Sequence, residues 1–275
     1  MNSPLISVEQ LVASPQDWRV LEALPGKDAR QEQAAFSAGY LPGALAVDLL
    51  HELSDPAGPF PYTRPGATQW ARTLTSLGMG SDTAVAVHDR GNGIWAARLW
   101  WLLRAFGHEQ VAVIDGGLQA WLGAGLPLQT HIADATPGHA VARPQAGFFC
   151  DLATVRTTSE GRHPAQLLNV LRPAVFSGQE LRYQRAGHIP GSRNLPYLDL
   201  LDPATGRFKP GAALRATLAP VLNDPRPIIT YCGAGITAAG TALALASLGR
   251  HDVSVYDGSL NEWTAAPSLP LHCLR

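Results

Sequence analysis

The chain has 275 residues, 46% of them hydrophobic and 16% charged, which describes globular material long enough for two domains of moderate size and too apolar for disorder. Its formal net charge is −1, with acids and bases interspersed. The sequence therefore lacks the basic stripe that a phosphate backbone or an anionic bilayer demands, and neither nucleic acid nor membrane is expected as a partner.

From the N-terminus, MNSPLISVEQLVASPQDW shows no basic segment leading into an apolar one, so no secretory signal is expected and the predicted compartment is the cytoplasm. Strands are predicted at WRVLEAL (18–24), near Ala44–Val47, at TAVAVH (83–88) and at QVAVID (110–115), with a helix from about Ile94 to Phe106. That helix carries Arg98 and Arg104 and is too short to span a bilayer. Its Trp95, Trp100 and Trp101 read as packing residues. The stretch from Pro127 to Pro164 is rich in Pro, Thr, Ala and His and has no sustained period. It reads as a linker and a lead-in, dividing the chain into residues 1–130, a linker at 131–148, and 149–275. Beyond it, strands are predicted at QLLNV (166–170), around Arg193–Leu195, at PIITY (227–231) and at VSVYD (253–257), with a helix over Ala238–Leu248 stopped by Gly249. Alternating strands and helices predict the α/β class, a mainly parallel sheet flanked by helices in each half.

The two halves repeat one another. AGYLPGA (Ala38–Ala44) matches AGHIPGS (Ala186–Ser192), and FGHEQVAVIDGGLQAW matches LGRHDVSVYDGSLNEW. Gly107 with Gly249, Asp115 with Asp257, Gly116 with Gly258 and Trp121 with Trp263 all pair at a single spacing. A repeat of this length is a duplicated domain, since solenoid units are several times shorter.

The chemistry concentrates at IITYCGAGITAAG (228–240). An apolar strand ends at Cys232, a Gly-rich loop follows, and a helix begins. The thiolate is the reactive form of cysteine and is favoured by backbone N–H groups and a helix N-terminus. Gly233 and Gly235 can take positive φ, which lets the loop amides curl inward around the sulfur. At the common spacing the first half offers Arg90 opposite Cys232, or Asp89 if its loop DRGNG carries one extra residue. Neither is a thiol, so the first domain is expected to be non-catalytic. The remaining cysteines, Cys150 and Cys273, read as core material and as part of a mobile tail. Three scattered cysteines with no CxxC or Cys/His spacing predict neither disulfide framework nor metal site. His188 and Asp257 read as turn residues, and His51 lies on a long loop that the sequence does not place.

A tandem duplication, a GHIPG turn, a strand leading into CGAGITA and a YDGS..EW close resemble the two-domain rhodanese family. The loop resembles the CGSGVTA of 3-mercaptopyruvate sulfurtransferases more than the CRKGVTA of thiosulfate sulfurtransferases. The resemblance implies transfer of sulfane sulfur from a small anionic donor, 3-mercaptopyruvate or thiosulfate, through a Cys232 persulfide. The acceptor would be a thiol or cyanide, with a protein thiol such as thioredoxin as a further candidate. Carried over, Cys232 is the nucleophile, and the backbone of Gly233, Ala234, Gly235, Ile236 and Thr237 is the anion cradle, with a hydroxyl from Thr237. No cofactor is implied.

Several positions depart from the family pattern. Asn169-Val170-Leu171 and Ala174-Val175-Phe176 stand where the family has Asp-Ala-Arg and Gly-Arg-Phe, so both arginines are absent. Arg182 and Arg185 become the candidates for a carboxylate clamp, because a guanidinium grips a carboxylate with two charge-assisted hydrogen bonds. Ala234 replaces the serine of many mercaptopyruvate enzymes, and Tyr40 replaces the histidine of the first-domain turn. Two other classes share a reactive cysteine in such a loop. A cysteine phosphatase would need arginine at position 238, which is alanine. A rhodanese-like binding or redox/persulfide-sensing protein would keep the reactive cysteine with little turnover.

Overall fold

The structure, a computed structural model, describes residues 3–14, 17–26 and 39–274. Ala38, the first residue of the early repeat motif, lies outside them. The chain forms two compact units. The first comprises Met1–Gly58, Arg64–Gln145 and Thr205–Arg207, and the second Pro59–Thr63, Ala146–Ala204 and Phe208–Arg275.

In the first unit the elements run β1 (Leu5–Ile6), α1 (Val8–Ala13), β2 (Trp18–Leu24), β3 (Leu45–Asp48), α2 (Ala67–Ser76), β4 (Ala84–His88), α3 (Ile94–Ala105), β5 (Val111–Ile114) and α4 (Gly117–Gly123). The second unit has β6 (Phe149–Cys150), α5 (Leu152–Ser159), β7 (Gln166–Asn169), α6 (Pro173–Ser177), β8 (Ser192–Asn194), a 3-10 turn at Tyr197–Leu200, α7 (Gly211–Leu222), β9 (Ile228–Tyr231), α8 (Ile236–Ser247), β10 (Val253–Tyr256) and α9 (Ser259–Ala265). The sheets are ordered β1-β5-β4-β2-β3 and β6-β10-β9-β7-β8. Every pairing within them is parallel.

Parallel strands need crossover connections, which place helices over the sheet and bury it, so central strands read as continuous apolar runs. β4, β5, β7 and β9 are buried along their whole length. Helix α8, ITAAGTALALAS, is nearly all buried because its small side chains let it lie close to neighbouring elements. At Gly240 a Cβ would come within 2.5 Å of the Tyr197 ring. Among the described residues no helix is long and apolar enough to cross a membrane.

The predicted strands and the two predicted helices appear within a residue or two of the expected positions, whereas α7, also of twelve residues, was not expected. The edge strands β1 and β6, of two residues each, are too short to show a period. The expected linker at 131–148 behaves differently. As far as Gln145 it belongs to the first unit, bonded there by amides donating from Ala133 to Ala44 (3.1 Å), Gly138 to Thr75 (2.8 Å), Arg143 to Phe106 (2.9 Å) and Gln145 to Ala105 (2.7 Å). The first unit thus extends past 130, because a chain without side-chain periodicity can still be held through its backbone. The C-terminal tail departs from expectation too. His188 and His272 pair as an antiparallel bridge. The Leu274 amide donates to Ser177 at 2.9 Å, and the Cys273 thiol donates to Ala186 at 3.6 Å.

The duplication is visible at the level of single bonds. Trp121 Nε1 donates to the Pro127 carbonyl at 3.0 Å and Trp263 Nε1 to Pro270 at 2.8 Å. The Leu118 amide donates to the Asp89 carbonyl and the Leu260 amide to that of Cys232, each at 3.1 Å.

Candidate active site

In the second sheet the chain passes from β7 outward to β8 and returns to β9 on the other side of β7. The reversal makes the carboxyl ends of β7 and β9 the topological switch point, where such sheets open a crevice for ligands. Asn169 and Tyr231 are partners in register. The next residues, Val170-Leu171-Arg172 and Cys232-Gly233, lead out from the same edge.

Cys232 is buried, with 2% of its surface accessible. Gly235 takes φ 72° and caps the N-terminus of the twelve-residue helix α8. A hydroxyl the sequence did not single out organises the loop. Ser259 Oγ accepts the amides of Cys232 (3.2 Å) and Gly235 (3.1 Å) and donates to the Tyr256 carbonyl (2.7 Å). Ser259 holds φ 48°, a left-handed conformation unusual for a residue with a side chain. Its counterpart in the first unit is Gly117, φ 51°, where a Cβ would lie 2.5 Å from the Asp89 carbonyl oxygen. The second unit therefore keeps a side chain where the first has none, and that side chain ties β9 to the start of α8. Of the expected cradle, the Gly235 amide is committed to Ser259. The amides of Gly233, Ala234, Ile236 and Thr237 have no hydrogen-bond acceptor among the described residues.

The first unit shows what such a loop does with an anion. β4 ends at His88 and Asp89 follows, so Asp89 rather than Arg90 stands opposite Cys232, the loop being one residue longer before its left-handed cap, Gly93. Asp89 Oδ1 accepts the amides of Gly91 (2.9 Å) and Gly93 (3.1 Å), and Oδ2 those of Trp95 (3.0 Å) and Ala96 (3.1 Å). Burial raises the Asp89 pKa while the four amides pull it back. Both oxygens accept and neither donates, which is the arrangement of a carboxylate. Arg90 is used elsewhere: it pairs with buried Glu22, donates to the Gly39 carbonyl at 2.9 Å and stacks 5.1 Å over the Tyr40 ring.

The two candidate arginines separate. Arg185 donates through Nε to Thr264 (3.0 Å), through Nη1 to Leu269 (2.8 Å) and through Nη2 to Trp263 (3.1 Å) and Ala266 (2.7 Å). These carbonyls close the end of α9, so the guanidinium is spent on the fold. This corrects the expectation of a clamp there, since one N–H is too few for a bidentate grip. Arg182 is exposed, and its charge lies near the Tyr183 phenol.

Tyr183 was not read from the sequence. It stands on Gly233, where an added Cβ would overlap its Oη and lie 2.7 Å from its Cζ. Its pKa is pushed up to about 12, by burial first and then by the neighbouring Cys232 charge, against the pull of Arg182 and Arg172. Arg172, which caps α6 and pairs with Glu180 at 2.7 Å, thereby joins the same electrostatic neighbourhood. Its signal was an arginine one position after the empty family position at Leu171.

The other residues fall into packing roles. His188 stacks on Phe176 (3.6 Å between centroids), and its Nδ1 donates to the Phe176 carbonyl at 2.7 Å. His51 Nδ1 meets Asp48 Oδ2 at 2.8 Å. Trp100 and Trp101 are core residues, while Trp95 is half-buried. Cys150 is half-buried on an edge strand. Among the described residues no group of three or more His, Cys, Asp or Glu side chains is placed to hold a metal ion.

Comparison with known proteins gives the family. The Rhodanese-like domain family matches twice, at residues 21–124 and 166–266. The chain is 34% identical to the 3-mercaptopyruvate sulfurtransferase of Escherichia coli O157:H7 over 92% of its length and 90% of that protein's. It is 32% identical to the human 3-mercaptopyruvate sulfurtransferase over 86% of its length and 80% of that protein's. Among solved structures, SseA from Escherichia coli, described as a 3-mercaptopyruvate sulfotransferase of rhodanese fold, superposes with a TM-score of 0.80 at 30% identity, covering 94% of this chain and 99% of that one. The chain belongs to the rhodanese-like family, as a tandem of two such domains.

Proposed function

We propose that the chain is a sulfurtransferase that takes sulfane sulfur from a small anionic donor, holds it as a persulfide on Cys232 and passes it to a thiophilic acceptor. The observation that carries this reading is the pair of matching loops. In Asp89 the charged oxygens lie two bonds beyond Cβ, and in a cysteine persulfide the terminal sulfur lies two bonds beyond Cβ. The first unit therefore presents, in permanent form, the anion that the second would hold after loading. Gly93, Trp95 and Ala96 correspond to Gly235, Thr237 and Ala238 when the two helix caps are matched.

The Cys232 thiolate attacks the donor sulfur, an S–S bond forms, and the bond between that sulfur and the rest of the donor breaks. The leaving group is anionic, as is the persulfide, and the open amides of Gly233, Ala234, Ile236 and Thr237 supply the stabilising dipoles. Arg182, exposed and near the Tyr183 phenol, is the donor's carboxylate anchor, with Arg172 as the second positive charge. The acceptor is a thiol or cyanide, and a protein thiol such as thioredoxin fits the same attack on the terminal sulfur. The chemistry requires neither metal nor organic cofactor.

The test is intact mass spectrometry of the reduced protein after brief exposure to 3-mercaptopyruvate and, separately, to thiosulfate, with Cys232→Ser alongside. A gain of one sulfur atom, absent in the variant, is expected. No gain from either donor would refute sulfur transfer and leave a binding or sensing module.

A further inference from the structure

The loop reads Cys232-Gly233-Ala234, so the hydroxyl that a serine at position 234 would provide is absent. A different hydroxyl has come to the same loop. Tyr183, from the irregular segment before the GHIPG turn, sets its phenol on the Cα of Gly233, where only glycine leaves room. The ring packs against the cluster containing Tyr231 and Ile189, which fixes its direction. Arg182 and Arg172 bring positive charge to the phenol.

We propose that Tyr183 is a catalytic hydrogen-bond donor to the oxygen of the group that leaves when Cys232 takes sulfur from carbon, and that it makes the site selective for thiols next to a ketone, of the 3-mercapto-2-oxo acid class. This rests on the sulfurtransferase reading of Cys232. When the thiolate attacks the thiol sulfur of such a donor, the Cys232–S bond forms and the donor's C3–S bond breaks. The electron pair passes into the adjacent carbonyl as an enolate, and the sulfur keeps its proton. The enolate oxygen receives the Tyr183 hydrogen bond, water then protonates C3 to give the 2-oxo acid, and the hydroxide left takes the persulfide's proton, so that Cys232 ends as the persulfide anion. A donor that releases sulfite or a shorter polysulfide leaves from sulfur and develops no enolate, so it gains less from the phenol. The phenol's raised pKa keeps it protonated, and able to donate, throughout the neutral range.

Tyr183→Phe keeps the ring and removes only the oxygen. Loading rates are measured on the full chain with 3-mercaptopyruvate and with inorganic tetrasulfide, reading the added sulfur by mass and the released pyruvate. With 3-mercaptopyruvate, kcat is expected to fall on the order of 100-fold, as for loss of one oxyanion donor, while KM moves little. With tetrasulfide the rate should change by less than about threefold, which also reports that the variant is folded and Cys232 accessible. Equal losses with both donors, or full-rate loading by 3-mercaptopyruvate, would reduce Tyr183 to packing and overturn the proposal while leaving Cys232 chemistry intact. Failure of the unsubstituted protein to load from any donor would overturn the sulfurtransferase reading itself, and Tyr183's role with it.

Discussion

Replacing Ser259 tests whether one hydroxyl holds the reactive loop in shape. Its oxygen uses its full capacity, one donated and two accepted hydrogen bonds. In Ser259→Ala the amides of Cys232 and Gly235, both buried, lose their acceptor. At about 1–3 kcal/mol for each of the two orphaned buried amides, the loss is about 2–6 kcal/mol. Ser259→Gly loses the same bonds but removes the Cβ from a left-handed conformation, which returns about 1 kcal/mol. The order expected is therefore wild type, then glycine, then alanine. Urea unfolding of the full-length protein gives the ranking, and hydrogen exchange at the Cys232 and Gly235 amides localises it. Because these amides flank the proposed nucleophile, loading of Cys232 should slow in both variants. Ser259→Ala within about 0.5 kcal/mol of wild type, with unchanged exchange at those two amides, would refute the argument.

Two further outcomes are expected. Arg185→Lys exchanges a fork that reaches four carbonyls for a point charge, and should lower stability by about 2–4 kcal/mol while leaving the donor's KM within about twofold; a large rise in KM at unchanged stability would return Arg185 to the donor site. In the first unit, burial pushes His88 down to about 4, so above pH 6.5 it is neutral folded or unfolded, and as pH falls toward 4 the unfolded chain takes up its proton first. That stability is present above pH 6.5 and lost on acidification, about 3 kcal/mol in all. The raised pKa values of Glu22 and Asp89 act with the opposite sign. The measurement is therefore the difference between wild type and His88→Gln unfolding at pH 7 and pH 4, and a difference that does not change with pH would contradict the assignment.

What the sequence revealed depended on how local the cause was. Strands such as TAVAVH and PIITY are buried on both faces and announce themselves as apolar runs, and the duplication is carried by residues that repeat a bond, as Trp121 and Trp263 do. Cys232 was legible because loop and helix cap are contiguous with it. The choice between Asp89 and Arg90 was open because a one-residue difference in loop length only resolves when both left-handed caps, Gly93 and Gly235, are seen. Arg185 misled because a guanidinium suited to a carboxylate is equally suited to the carbonyl end of a helix. Tyr183 and Ser259 stayed hidden for the complementary reason. Each reaches the loop from a segment distant in sequence, and neither a tyrosine in LRYQR nor a serine after Asp-Gly signals where its oxygen will land.

The filled loop of the first unit and the open loop of the second differ in cohesion as well as chemistry. Around Asp89, four amides are satisfied for as long as the chain is folded. Around Cys232 the Gly235 amide is held by Ser259, and the amides of Gly233, Ala234, Ile236 and Thr237 are open to a charge carried one bond farther out than the thiolate's own. A persulfide stays on the chain whether it is folded or unfolded, so it adds to the stability of the fold only through the hydrogen bonds that the folded loop makes to it. On the proposed chemistry the sulfur atom is a detachable structural member: each turnover would alternately complete and reopen the second domain's loop, while its sibling remains closed throughout.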